Sequence, residues 1–166
     1  LVRPEFRRPQ WREGRAARLP FILLFAGSSW LLFALTRHLF GAQAGVWAVL
    51  ALNLSAFFTL SGGGLVPDGP LQFFLLAAAL VLARGLFPAG DPPSPWTTWL
   101  LAGLCLGLAG LSKYHAALFA LGLIIYLISV PARRSLLRHP APWVGALIAL
   151  IVVSPALIWP MQHQWV

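Results

Sequence analysis

The chain has 166 residues, of which 59% are hydrophobic and 10% charged, and carries a formal net charge of +8. That balance is far from the globular average and places the chain among membrane proteins. Its twelve basic residues gather at the ends of apolar runs and not over a folded surface, so anionic lipid headgroups, and no nucleic acid, are the partners the charge implies.

In chain order, the first feature is a basic segment, 1–18, which holds Arg3, Arg7, Arg8, Arg12, Arg15 and Arg18. It has no evident small-residue cleavage site and does not read as a signal peptide. Against the ~20 apolar residues that cross ~30 Å of hydrocarbon, six candidate spans follow. They are Leu19–Thr36, Gln43–Ser61, Pro70–Phe87, Trp96–Ser112, Tyr114–Val130 and Trp143–Pro160. The runs lack the in-out alternation of barrel strands, and helices satisfy their own backbone groups in lipid. The expected fold is all-α, a polytopic transmembrane helix bundle over 19–166. With no initiator Met, and a last residue directly after a span, the chain is expected to be an internal piece of a longer protein.

Between the second and third spans lies Gly62-Gly63-Gly64-Leu65-Val66-Pro67-Asp68-Gly69-Pro70, and Asp68 is one of only four acids in the chain. A carboxylate kept beside hydrocarbon is costly, which makes it a candidate functional group. It also suits the start of a helix, with Gly69 and Pro70 in the first turn. The next connector, Ala89-Gly90-Asp91-Pro92-Pro93-Ser94-Pro95, reads as stiff.

Neither Pro nor Gly occupies Ser112-Lys113-Tyr114-His115, yet an unbroken helix over 96–130 would extend roughly 52 Å at 1.5 Å per residue, far beyond a bilayer core. A reversal is therefore expected at Lys113. Its ammonium suits a lipid-linked phosphate, with Tyr114 and His115 against a headgroup or sugar. An ordinary interfacial Lys beside an aromatic anchor has the same composition.

Alternation of the spans puts Asp68, Lys113, Tyr114, His115 and the C-terminal His163 on one side of the membrane. Counting Lys and Arg gives seven on that side against five on the other, or one against five once 1–18 is set aside. The second count makes Arg133-Arg134-Ser135-Leu136-Leu137-Arg138 cytoplasmic and Asp68 external.

The remaining polar and small residues read structurally. Gly103, Gly107 and Gly110 form a small-residue face for helix packing, Asn53, Ser55 and Thr59 bridge helices or line a cavity, and Trp96, Trp99, Trp143 and Trp159 suit interfacial belts. Cys105 stands alone and excludes an internal disulfide. Phosphate-loop, dinucleotide, zinc-protease and nucleophile-elbow motifs are absent, so ATP hydrolysis and dinucleotide chemistry have no support. A divalent metal cofactor stays open, although one carboxylate and scattered histidines make no ligand set.

Three motifs then appear in order: Leu65-Val66-Pro67-Asp68-Gly69-Pro70-Leu71-Gln72-Phe73-Phe74, Gly107-Leu108-Ala109-Gly110-Leu111-Ser112-Lys113-Tyr114, and Pro155-Ala156-Leu157-Ile158-Trp159 with Gln162-His163-Gln164-Trp165-Val166. From Arg18 to Val166 the chain resembles bacterial members of glycosyltransferase family 39, relatives of the protein O-mannosyltransferases and lipid A aminoarabinose transferases. Segment 1–17 has no counterpart.

The resemblance implies a GT-C membrane fold in the bacterial cytoplasmic (inner) membrane. It implies a glycosyltransferase that moves a sugar from a polyprenyl-phosphate donor to a lipid, glycan or protein acceptor on the outer face. Asp68 is similar to the family's acid near the reaction centre, Lys113 to its candidate for the donor phosphate, and His163 to the His of a Gln-His-x-Trp motif whose role is unassigned. The family's main catalytic acid is expected upstream of Leu1, so this piece is expected to be incomplete for catalysis. Two other readings stand beside the transferase: a subunit that transports or flips a lipid-linked substrate, and a non-catalytic assembly protein. Inverted repeats would favour the transporter, and none is seen between the two halves of the span series.

Overall fold

The structure, a computed structural model, describes residues 10–55, 68–91 and 93–162, the side chains of 10–18, 157 and 160–162 excepted. The described residues are helical, without strands, in the sequence α1 (Gln10–Phe40), α2 (Ala42–Leu54), α3 (Asp68–Leu86), α4 (Pro95–Ser112), α5 (Ala116–Ser129), a 3-10 helix (Pro131–Arg138) and α6 (Pro140–Gln162). Each expected span falls on one of the six α-helices.

Only three helices, in α1, α3 and α4, are long and apolar enough to cross a bilayer, and α5 with the 3-10 helix makes a fourth if the bent pair is one span. Of the six expected spans, three or four thus qualify by length and composition among the described residues. The shortfall has local causes. α5 loses Tyr114 and His115 to the preceding turn and stops before Val130, which is extended at φ −96°, ψ 106°. Pro131 follows, and a residue before proline is driven from the helical region. Its 14 residues reach only about 21 Å at 1.5 Å per residue. For α2, residues 56–61 of the expected span lie outside the described residues.

The α1–α2 reversal is made at Gly41, whose φ of 93° is the left-handed region that glycine adopts without a Cβ penalty. Its N–H donates to the Arg37 carbonyl at 3.0 Å and closes the end of α1. Asn53 then ties the hairpin together, donating to Ser29 Oγ at 3.2 Å as well as to the Val49 carbonyl of its own helix. That is the bridging expected of Asn53; Thr59 lies outside the described residues.

The helices stand in a row, α2–α1–α3–α4–α6, with the most extensive packing between α4 and α6. Glycines set the spacing. A Cβ on Gly103 would overlap the Gly145 carbonyl, and one on Gly107 would come within 2.7 Å of Val152 Cβ. Small residues let backbones approach closely enough for dispersion to hold helices together in lipid, where hydrophobicity gives no preference between helix and tail. The pairings of Gly103 with Gly145, Gly107 with Val152 and Gly110 with Val153 advance together, so α4 and α6 run parallel. α5 is the return stroke, laid more loosely against α3 and α4.

Trp99 departs from expectation. It is buried, at 7% exposure, in a cluster with Leu82, Leu86, Ala102, Leu127 and Ala141, whereas Trp96, Trp143 and Trp159 are exposed as an interfacial belt requires. The Trp99 backbone also lies close to α6: a Cβ on Gly145 would overlap the Trp99 carbonyl.

α6 carries Pro155 in its interior. A proline has no N–H, so the carbonyl four residues back loses its helical donor. Here that acceptor is Ile151 O, and Ser154 Oγ donates to it at 2.8 Å. The adjacent hydroxyl thus repairs the bond its neighbour removes, which is how transmembrane helices tolerate proline.

Candidate functional site

Asp68 opens α3, with Gly69 buried behind it near Phe21 of α1. Lys113 closes α4: it is extended at φ −160°, ψ 134°, while its N–H still donates to the Ala109 carbonyl. One extended residue breaks the helix without proline or glycine, at the position where the length argument requires a reversal. The chain re-enters a helix through bonds from the Ala116, Ala117 and Leu118 amides to the carbonyls of Lys113, Tyr114 and His115.

Because α3 and α4 are antiparallel, these two ends meet. Lys113 Nζ donates to Asp68 Oδ1 at 2.7 Å, across 45 residues of sequence, and each side chain is about one-third exposed (36% and 34%). The carboxylate stands at a helix N-terminus and the ammonium at a helix C-terminus, so both charges also oppose the local helix dipoles. Among the described residues this is the ion pair the chain forms, and no side-chain cap from Asp68 to its own helix accompanies it.

Tyr114 and His115 stack on one another, ring centroids 4.5 Å apart and 29° between planes, and both are exposed. They form a small aromatic ledge next to Lys113. His163 lies outside the described residues. α6, parallel to α4, does run toward the Lys113 end, ending at Gln162.

The chemistry available here follows from these groups. A partly exposed ammonium receives an oxyanion, and its pair with Asp68 does not prevent this, since exposed pairs contribute only about 0.2–1 kcal/mol. The ammonium carries three N–H groups and donates one to Asp68 Oδ1, so a phosphate oxygen can be received beside the carboxylate. The aromatic ledge offers π-faces, a phenol and imidazole nitrogens to a polar headgroup or sugar. A cation is poorly served, because the carboxylate already faces an ammonium. No three His, Cys, Asp or Glu side chains converge as a metal-ligand set among the described residues.

The sequence foresaw Asp68 and Lys113 on one side of the membrane but not in contact. Their contact depends on α3 and α4 having matched lengths, which their apolar boundaries only approximate. The Ser154 repair has a visible signal of its own, Ser154-Pro155 in a helical run.

The family model described as dolichyl-phosphate-mannose-protein mannosyltransferase matches residues 12–159. The match begins ahead of Arg18 and includes Asp68, Lys113, Tyr114 and His115, while His163 falls beyond it. No curated protein and no solved structure matches the chain.

Proposed function

Since the chain belongs to the dolichyl-phosphate-mannose-protein mannosyltransferase family, a family of membrane glycosyltransferases, we propose that the Asp68–Lys113 corner receives the phosphate of a polyprenyl-phosphate sugar. The sugar passes to a lipid, glycan or protein acceptor at the outer face of a bacterial cytoplasmic membrane. Residues 19–166 form the membrane transferase unit in this reading, and 1–18 is a basic segment ahead of it.

In the transfer, the bond between the anomeric carbon and the phosphate oxygen breaks as the acceptor oxygen bonds to that carbon. The acceptor proton goes to a general base, and polyprenyl phosphate departs with the bonding pair. Lys113 opposes the charge that builds on the phosphate, an interaction strongest at the transition state. Asp68 holds the ammonium at the membrane surface before donor arrives and serves as a supporting acid near the acceptor. Tyr114 and His115 contact the headgroup or sugar. In this reading the general base is a carboxylate other than Asp68.

The observation that carries this reading is the 2.7 Å Lys113–Asp68 contact at the joined ends of α3 and α4, inside the matched family region. The test is transfer of radiolabelled sugar from polyprenyl phosphate by the full-length protein, with Asp68→Asn and Lys113→Ala beside it. Wild-type rates in both variants would remove the site from the mechanism. Movement of the lipid-linked sugar across vesicles without transfer would favour the transporter.

A further inference from the structure

At the other end of the bundle, α5 leaves the membrane and the chain turns by 111° into the 3-10 helix Pro131–Arg138. Leu136 and Leu137 pack inward against the buried cluster, while Arg134 and Arg138 are exposed. A basic element set across its span, its leucines packed on the bundle and Arg134 and Arg138 exposed, lies in the membrane interface.

Beneath it is an apolar cavity of about 240 Å³, lined by Trp99 and Leu106 of α4, Ile124 and Ile128 of α5, Leu137, and Trp143 of α6. It exists because α5 packs on α4 without closing against α6. Trp143, 64% exposed, stands at its edge and donates Nε1–H to the Leu137 carbonyl at 2.8 Å. The groove is therefore open toward lipid and roofed by the basic element.

The charge above it is unopposed. Arg138 has no hydrogen-bond or ion-pair partner among the described residues, and Arg134 spends only Nε, on the Ile128 carbonyl at 2.7 Å. Arg133 lies over the Phe87 ring at 5.4 Å. Asp91, in the connector at this end of the bundle, forms no ion pair with them among the described residues, and no Asp or Glu follows it in the sequence. Two free guanidinium faces at an interface, with a hydrocarbon slot directly below, match a molecule with an anionic head and an apolar tail.

We infer that this groove binds an anionic phospholipid, its phosphate held by Arg134 and Arg138 and one acyl chain lying against Trp143 between α5 and α6. The site is distinct from the Lys113 corner: from Trp99 to Lys113 along α4 is roughly 21 Å at 1.5 Å per residue. It stands whether or not the donor assignment does.

The test uses full-length protein in phosphatidylcholine nanodiscs doped with brominated-chain phosphatidylglycerol or, in parallel, the same fraction of brominated phosphatidylcholine. Bromine quenches tryptophan on contact, and subtracting the signal of Trp143→Phe isolates Trp143. Stronger quenching of Trp143 by the anionic lipid is expected. The preference should fall about fivefold per arginine in Arg134→Gln and Arg138→Gln, the equivalent of about 1 kcal/mol each, and persist in Arg138→Lys. Mass spectrometry of co-purified lipid gives a second measurement without a tryptophan variant, with anionic lipid retained by the wild type and lost from the double Gln variant. Equal quenching by both lipids would overturn the inference, leaving only bulk-lipid contact. So would a Trp143 signal insensitive to both, which means that another helix fills the groove.

Discussion

Lys113 and Asp68, 45 positions apart, meet at 2.7 Å and cancel each other's charge at the membrane surface. The corner is thus electrically quiet, with N–H groups of the ammonium still open to a second anion. Its ammonium is held where a phosphate reaches it, at an energy cost small enough for the phosphate to overcome.

Lys113→Ala should lower kcat/KM for sugar transfer by roughly 10²–10³, the range for removing one transition-state charge stabiliser. Radiolabel transfer by full-length protein checks this, and Lys113→Arg should recover part of the loss because the charge is kept. A KM effect alone, with kcat untouched, would mean that Lys113 only binds donor.

Asp68→Asn should reduce stability by no more than about 1 kcal/mol, since the pair is one-third exposed and exposed pairs contribute little. Combined with Lys113→Met in a double-mutant cycle of unfolding in detergent, the coupling should stay within that bound. Losses in activity, by contrast, should be far from additive, because Asp68 holds the same ammonium that meets the phosphate.

Gly103→Leu and Gly145→Leu should each destabilise the bundle by about 1–3 kcal/mol or more, the cost of forcing side-chain volume into a closed contact. In both, the added Cβ would meet backbone of the facing helix, whereas at Gly122 it would meet nothing within 4 Å. Gly122→Leu is therefore the control that should keep its midpoint in a thermal melt.

Ser154→Ala should cost about 1–3 kcal/mol by leaving the Ile151 carbonyl without a donor in lipid. Pro155→Ala restores the backbone N–H, so the double variant should unfold near the wild-type midpoint. If Ser154→Ala costs the same with and without Pro155, the hydroxyl is not repairing that bond.

Much of this architecture was legible in the residues. Continuous apolar runs marked every α-helix, and the length of 96–130 demanded the reversal found at Lys113. The glycine face of α4 announced close packing, and Gly145 received it. Helix length was less legible, because hydropathy counts apolar residues and is blind to where backbone turns; Val130 is apolar yet extended ahead of Pro131. Trp99 misled for a similar reason. Burial of an aromatic ring depends on what surrounds it, and Leu82, Leu127 and Ala141 come from three other helices. The contact of Asp68 with Lys113 needed both helix ends in register, a tertiary property to which composition has no access.

The parallel course of α4 and α6 has a consequence for synthesis. A ribosome delivers α4 first, but its closest neighbour cannot dock until α5 has been laid back along the bundle and Pro131–Arg138 has been placed. For that interval the Gly103, Gly107 and Gly110 face is bare, and any small-residue helix nearby can take it. The two turns around α5 thus set how long α4 waits for its proper mate.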